Sequence, residues 1–416
     1  MSKSLVKKYL GSIVTRGTLN VAFANGDTAQ FGTPEDGFPD ISLRLTDDRV
    51  PRDILLDPRL GAAEAFMNGR LLIESGDVMG LIALLRGNAP WDRGGSIGGP
   101  STFRRLRDRL TFGLEAVNNA VGSKRNVAHH YDIGNDLYKL MLDSEYMQYS
   151  CAYWPSDDMS LAEAQEAKLA HIAAKLGLEP GQEVLDIGCG WGGMAIFLAS
   201  RAGVKVHGIT LSEEQLALAI ERAEVAGVSD RVTFELVDYR DLPKRPKRYD
   251  RIVSVGMFEH VGRPQFETFF DCCANLMKAD GVMLLHTIGR MGSPGTTDAF
   301  TRKYIFPGGY IPALSETIAA SERYRLIPTD IEILRLHYAK TLRGWYKRCE
   351  QHRDAIIDLF DERFYRMWTF YLAGATAAFE HGGMCNFQIQ YSRSRHALPI
   401  TRDYLADNES DMLQKP

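Results

Sequence analysis

The run Val184-Leu185-Asp186-Ile187-Gly188-Cys189-Gly190-Trp191-Gly192-Gly193 constrains this chain more than any other. It is a short apolar strand that ends on glycines and opens directly into a helix. Gly188 and Gly190 allow a tight turn and let the backbone approach a ligand without a Cβ in between. The helix start beyond them offers free N–H groups to a carboxylate or another anion. Asp186, at the end of the strand, can accept from an ammonium group or orient the loop. The spacing G-x-G-x-G-G departs from the G-x-G-x-x-G of dinucleotide enzymes. The next strand also reaches Thr210 without the acidic residue that holds an NAD ribose. A nucleotide-like cofactor other than NAD is expected over this turn, with a purely structural strand-to-helix turn as the alternative.

The pattern around the turn is that of alternating strands and helices. Glu183–Ile187, Lys205–Thr210, Val232–Val237, Asp250–Val255 and Val282–Thr287 are short apolar, β-branched runs, and the helical stretches Gly193–Ala202 and Glu213–Ala226 lie between them. Such alternation predicts a doubly wound, mostly parallel sheet with its ligand at the carboxyl ends of the strands. Ahead of it, residues 1–90 read as a small mixed domain. Strands Thr18–Phe23 and Thr28–Phe31 flank Asn25-Gly26, the signal of a type I′ hairpin. Ile41–Leu45 alternates as a further strand, Ala62–Met67 and Val78–Leu85 read as helices, and Gly87–Pro100 as a linker.

Past the linker, Phe103, Leu106, Leu110, Leu114, Val117 and Val121 form one apolar helical stripe, with Arg104, Arg105, Arg107 and Arg109 crowding its first turns. Lys124 and Arg125 follow at its end. A basic amphipathic helix of this kind lies on an anionic lipid surface, or else bridges domains with its arginines paired to acidic neighbours. The tail after Tyr404 is polar and expected to fray.

At 416 residues the chain exceeds one ordinary core, so two domains are expected. The formal net charge of −4 argues against a general nucleic-acid binder. Six cysteines, at 151, 189, 272, 273, 349 and 385, contain no CxxC pair, which suits neither a disulfide framework nor a zinc site. Reduced, buried cysteines, a cytoplasmic setting and no metal are expected. No apolar run reaches the roughly 18 residues of a membrane span, so any membrane contact is expected from the cytosolic surface.

Asp186 to Gly193 resembles the first motif of S-adenosylmethionine methyltransferases. His130-Tyr131-Asp132-Ile133-Gly134-Asn135-Asp136, Tyr149-Ser150-Cys151-Ala152-Tyr153 and Gly256-Met257-Phe258-Glu259-His260-Val261-Gly262 narrow the likeness to the cyclopropane-fatty-acyl-phospholipid synthase family, relatives of the mycolic-acid cyclopropane synthases. Leu285-His286-Thr287-Ile288-Gly289 and Lys303-Tyr304-Ile305-Phe306-Pro307 extend it over residues 60–395. The resemblance implies an α/β fold: a doubly wound, Rossmann-like methyltransferase sheet over 128–404 and a small N-terminal α+β domain of sterol-carrier-like, lipid-binding kind over 1–90. A helical linker over 91–127 joins them, and a polar tail over 405–416 follows.

It also implies S-adenosyl-L-methionine as methyl donor and a cis double bond in a membrane phospholipid acyl chain as acceptor, with a cyclopropane ring as product. By motif position, Tyr149, Ser150, Gly188, Gly190 and Gly192 should contact the cofactor. Thr210 and Gln215 match the family's ribose and methionine segment, and Asp238-Tyr239-Arg240 should flank the adenine. The family further implies a bicarbonate ion, whose ligand positions match Cys151, Glu259, His286, Ile288 and Tyr338. A homodimer attached peripherally to the inner face of the cell membrane is implied as well.

The reaction makes specific demands. An alkene is a weak nucleophile, and its attack on a sulfonium methyl leaves a carbocation that needs a dry pocket without a nucleophile to trap it. Aromatic faces stabilise cations without bonding to them, and Tyr149, Tyr153, Phe258, Tyr304, Phe306 and Tyr338 are candidates. A base must then take one proton from the added methyl before the ring closes. A reactive thiolate would be alkylated, so Cys151 is expected to act through its main chain, while His260 is expected to be structural. Many relatives carry a cysteine where Ala375 stands here; either it is dispensable, which the mechanism favours because it needs no nucleophilic thiol, or this protein makes a different product. The alternatives are a lipid C-methyltransferase that leaves a methyl branch on the unsaturated chain, a small-metabolite methyltransferase, and a non-catalytic lipid carrier.

Overall fold

A computed structural model describes residues 2–95 and 134–414. The basic stripe from Phe103 to Val121 and the His130-Tyr131-Asp132-Ile133 portion of the first motif lie outside the described residues. Packing divides the chain into two compact units. The first gathers the N-terminal segment with Thr297–Pro307 and Leu342–Met384, and the second holds the remainder. The expected continuous domain over 128–404 is thus interrupted twice. Helix Glu362–Glu380 shows why, since its apolar side (Met367, Trp368, Tyr371 and Leu372) is buried within the first unit. There Phe370 meets Phe66 with ring centroids 6.0 Å apart.

In the first unit, β1 (Thr18–Ala22), β2 (Thr28–Phe31), β3 (Asp40–Leu45) and β4 (Leu71–Ser75) form a four-stranded sheet in the order β2-β1-β3-β4. Leu19, Val21, Ile41, Leu43 and Leu45 alternate into its core. The hairpin forms, but not through the expected type I′ turn. Gly26 takes a φ of 87° while Asn25 does not enter the positive region. Gly26 N–H donates to Phe23 O at 2.9 Å, and Phe23 N–H to Asp27 O at 2.8 Å, which is a longer loop with glycine at its left-handed position.

The second unit is built on a seven-stranded sheet, β10-β11-β9-β8-β5-β6-β7. Here β5 is Glu183–Ile187, β6 Lys205–Thr210, β7 Val232–Leu236, β8 Tyr249–Val255 and β9 Met277–Arg290. Two further strands, β10 (Ile327–Leu334) and β11 (Met384–Ser392), escape the sequence reading and pair antiparallel. The pairs β5–β6, β5–β8, β6–β7 and β8–β9 are parallel. Because β6 and β8 lie on opposite sides of β5, the chain reverses direction across the sheet at β5, which opens a crevice at its carboxyl end. Phe258, Phe266, Phe269, Phe270 and Phe387 pack in one core, and residues of helices α1 (Leu161–Leu176) and α2 (Gly193–Ala202) in another.

The described part of the polar tail is helical and packed. Asp403–Gln414 is a helix, α3, whose Met412 is buried in the second core. Its Glu409 carboxylate meets His171 Nδ1 of α1 at 2.8 Å. One apolar and one charged anchor on the same face outweigh the polar composition. Met412→Ala should therefore lower stability by about 2–5 kcal/mol, the cost of emptying a buried methionine site, read from the urea midpoint. A change of only about 0.5 kcal/mol, as at a surface position, would show the helix to be undocked.

Candidate active site at the carboxyl end of the sheet

The crevice holds a cavity lined by Asp186, Gly188, Cys189, Gly190 and Trp191 of the β5–α2 turn. Thr210, Leu211 and Gln215 close a second side, Val237 to Arg240 a third, and Gly256, Met257, His260 and Val261 a fourth. The segment Met147 to Ser150 completes the wall. Every residue expected at the cofactor lines this cavity except Gly192. That glycine caps α2 at a φ of 79°, and a Cβ there would lie 2.6 Å from the Phe234 ring, so packing within the protein requires it. Gly188 has a φ of 84°, with Met257 only 2.8 Å from where a Cβ would sit. A Cβ on Gly190 (φ 54°) would meet no protein atom within 4 Å.

The cavity's polar groups are held in place. Asp186 is buried, and its Oδ2 has no partner among the described residues, an acceptor suited to an ammonium group. Burial pushes its pKa up to about 7 against the opposing charge of Lys168. Thr210 Oγ1 donates to Gln215 Oε1 at 2.9 Å, so Gln215 offers its amide N–H groups to a ligand. The Arg240 guanidinium grips the Asp238 carboxylate through Nε at 2.8 Å and Nη2 at 2.5 Å, a fixed pair at the rim. Tyr239 is wedged edge-on against Phe269, with centroids 5.5 Å apart. These groups fit a ligand with a cationic amine at one end and a flat polar group at the other, as S-adenosylmethionine has.

None of the five expected bicarbonate residues lines that cavity, although all fall in the second unit. Val255 pairs with His286, and Gly256 N–H donates to His286 O at 2.9 Å, so the segments after β8 and along β9 run side by side. Glu259 Oε1 accepts from Ile288 N–H at 2.6 Å, while its buried Oε2 has no partner among the described residues. Burial raises the Glu259 carboxyl to about 7. His286 presents Nε2 to the Asn386 amide at 3.3 Å and Nδ1 to the Gln388 amide at 3.1 Å, both from β11. A neutral imidazole has one donor and one acceptor nitrogen, so one of these amides turns its oxygen to the ring. Burial drives His286 well below its ordinary pKa, which keeps it neutral.

Cys151 is fully buried with its thiol pushed well up by burial, in keeping with an unreactive sulfur. Next to it, Ala152 N–H donates at 3.1 Å to Thr341 Oγ1, one turn along from Tyr338 at the start of helix His337–Gln351. The other cysteines are likewise free and buried.

His260, expected to be structural, lines the cavity, and burial lowers it to about 4, so it is neutral there. Among the aromatic candidates, Phe258 is wholly buried against Phe266 and Phe269, and Tyr153 is stacked between His171 and His337 at 4.0 and 5.1 Å. Phe258 is thereby closed to a substrate chain, and both faces of the Tyr153 ring are occupied by imidazoles. Tyr149 faces the cavity, and Tyr304 and Phe306 belong to the first unit. Sequence reading missed Gln148, Lys168, Asn386 and Gln388, whose polar side chains lie 100 or more residues, or a whole helix, from the groups they hold. Among the described residues no group of acidic, histidine or cysteine side chains is arranged for a metal.

The sheet order and the cavity over the glycine turn define an S-adenosylmethionine-dependent methyltransferase. A family model described as mycolic acid cyclopropane synthetase matches residues 119–389, and the chain belongs to that family. It is 38% identical over 375 residues to a cyclopropane-fatty-acyl-phospholipid synthase of Escherichia coli, covering 89% of this chain and 92% of that protein. A protein of Pseudomonas putida named "Probable fatty acid methyltransferase" is 41% identical over 287 residues, 67% of this chain and 72% of that one. Among solved structures, the mycolic acid cyclopropane synthase CmaA1 complexed with SAH and CTAB matches with a TM-score of 0.61 at 34% identity, covering 65% of this chain and 98% of that chain.

Gly190→Ala separates folding from cofactor binding. The left-handed φ costs the alanine about 1 kcal/mol, and its methyl projects into the cavity. The melting temperature should fall by only a few degrees, while calorimetry should show S-adenosylhomocysteine bound roughly tenfold or more weakly, as when about 1.4 kcal/mol of binding energy is lost. Undiminished affinity would place the cofactor elsewhere.

Proposed function

We propose that this enzyme adds the methyl group of S-adenosylmethionine to a cis double bond in the acyl chain of a membrane phospholipid and closes a cyclopropane ring. The observation that carries this reading is the near full-length match to the Escherichia coli synthase, joined to a cavity whose walls fit the cofactor. When bound, the cofactor supplies an electrophilic methyl on a sulfonium. Asp186 receives its ammonium end, Thr210 and Gln215 its ribose and methionine portion, and Tyr239 with the Asp238–Arg240 pair its adenine. The turn at Gly188 and Gly190 and the Tyr149–Ser150 segment shape the wall beside it.

A bicarbonate ion belongs beside Glu259 in this reading, where it would supply a base for the proton lost before ring closure. Glu259 fits an oxyanion, since Oε2 is buried without a hydrogen-bond partner among the described residues and the carboxyl keeps its proton up to about pH 7. The Ile288 N–H is already taken by Glu259, and both His286 nitrogens face amides. Ile288 therefore supports Glu259 and His286 is held by the β11 amides in this arrangement, leaving the Cys151 main chain and the Tyr338 hydroxyl as the other candidate contacts. A thiol kept protonated at Cys151 neither competes for the methyl nor traps the cation.

The acyl substrate requires access to a bilayer. No described helix is long and apolar enough to cross a membrane. We place the enzyme peripherally, on the inner face of the cell membrane, as a homodimer, with the arginine-rich stripe after Phe103 as its lipid contact. The likeness to the Pseudomonas putida protein supports a second reading, a methyl-branched unsaturated chain. Both products gain one CH2, so expression in a host lacking cyclopropane lipids must be followed by proton NMR. Upfield cyclopropyl signals are expected, and a vinylic methyl signal in their place would overturn ring closure.

Glu259→Gln should lower turnover by roughly a hundredfold, within the range for loss of a general acid–base group, with S-adenosylhomocysteine affinity retained. Because the folded carboxyl sits above its ordinary pKa, its neutral form persists below about 7 and is lost as pH rises through that value. Turnover of the parent should decline over that window, and the variant should lack the decline. Full turnover in the variant would remove Glu259 from the chemistry.

A further inference from the structure

Helix α1 buries a polar stripe on a face that packing would fill with apolar groups: Gln165, Lys168, His171 and Lys175. A buried ammonium is costly unless it is paired and fully hydrogen-bonded. Lys175 has structural partners, the Glu332 carboxylate and Gln388 Oε1 at 2.7 Å. Lys168, with no exposed surface, serves a different set. Its Nζ donates to Gln148 Oε1 and, at 2.9 Å, to Ser150 Oγ. Both acceptors line the cofactor cavity.

The surroundings leave Lys168 one charged neighbour with a free valence. The carboxylates whose charge acts on it are Asp143 and Asp186, the nearby Cys151 thiol stays protonated, and Lys168 acts in turn on His286. Asp143 is spent on the backbone: its carboxylate accepts from the N–H groups of Tyr146, Met147 and Gln148 at 2.6, 3.0 and 2.8 Å. It thereby holds Met147 at a φ of 49°, a left-handed conformation rare outside glycine. The loop delivering Gln148 and Ser150 is tied by a carboxylate at its start and by the Lys168 ammonium at its end. Asp186, which lines the same cavity, keeps Oδ2 without a partner among the described residues.

We propose that Lys168 is a positioning residue for the cofactor, fixing Gln148 and Ser150 in the cavity wall and setting a positive charge behind Asp186. The proposal rests on the cavity being the S-adenosylmethionine site. Burial brings Asp186 up to about 7 and Lys168 down to about 7, each opposed by the other's charge. Below that value Asp186 takes up a proton, and above it Lys168 loses one. Cofactor affinity then follows a bell with its maximum near neutrality.

The test is calorimetric titration with S-adenosylhomocysteine across neutral pH. Lys168→Met should weaken binding by about tenfold or more, the loss expected when two charge-assisted hydrogen bonds go. It should also abolish the alkaline limb and move the acid limb to higher pH, because the cation that favours ionised Asp186 is gone. Ser150→Ala removes one acceptor without touching a buried charge. It should weaken binding in the parent and add little on top of Lys168→Met. Unchanged affinity and pH profile in Lys168→Met, or full additivity of the two substitutions, overturns the proposal. If Lys168→Met does not fold, Ser150→Ala decides alone, and unchanged affinity there also overturns it. Failure of the parent itself to bind S-adenosylhomocysteine would instead refute the cofactor reading.

Discussion

Two consecutive backbone N–H groups, Gly188 and Cys189, donate to the single carbonyl of Ile209 at 3.0 and 2.9 Å. That shared acceptor ties the turn leaving β5 to the end of β6, and the cavity depends on it. It holds the chain close to β6 while glycines absorb positive φ at 188, 190 and 192. The bend points the start of α2 at the crevice and leaves Asp186 at its floor. A residue with a Cβ at 188 would press on Met257, and one at 192 on Phe234, so the turn is constrained from both sides by packing as well as by any ligand.

Around this turn the second unit carries an unusual amount of buried polar chemistry. Asp186, Glu259, His286, Lys168 and Lys175 all lie in the interior, in a fold that would ordinarily exclude them. Lys168 and His286 are satisfied by amides and a hydroxyl, from Gln148, Ser150, Gln388 and Asn386, while Lys175 shares Gln388 with the Glu332 carboxylate. The neutral partners orient Lys168 and His286 without an adjacent counter-ion. Among the described residues the arrangement leaves Asp186 and Glu259 each with one unpartnered oxygen, one at the cofactor cavity and one beside β9. A dry, polar interior of this sort suits a reaction in which positive charge moves from a sulfonium to a carbon chain.

The features legible in the sequence were those fixed by neighbours along the chain. Helix Gly193–Ala202 has the bounds its pattern predicts, and the central strands shift by only a few residues, because period and glycine placement act locally. The hairpin at Asn25-Gly26 was legible as a hairpin but not as a turn type, since the register of β1 and β2 decides the loop length. The polar tail was misread for a related reason: its composition suits solvent, but Met412 and Glu409 meet partners on α1 more than two hundred residues earlier. The same limit hid Lys168, whose place in an alanine-rich helix does not reveal that its ammonium holds two side chains of the cavity wall.

By itself the sequence determined the donor side of the chemistry: a glycine turn on a parallel sheet, its spacing, and the motifs that carry the family likeness. These are short-range patterns, and the backbone conformations they encode hold wherever the chain is placed. Only the tertiary structure decided which polar groups share the interior. It brought the Asn386 and Gln388 amides to His286, turned the Ile288 N–H to Glu259, set His260 in the cavity wall and seated Lys168 behind Ser150. The reason is physical: the charge state of a buried group is fixed by what surrounds it in space, and those surroundings come from strands and helices far apart in the chain.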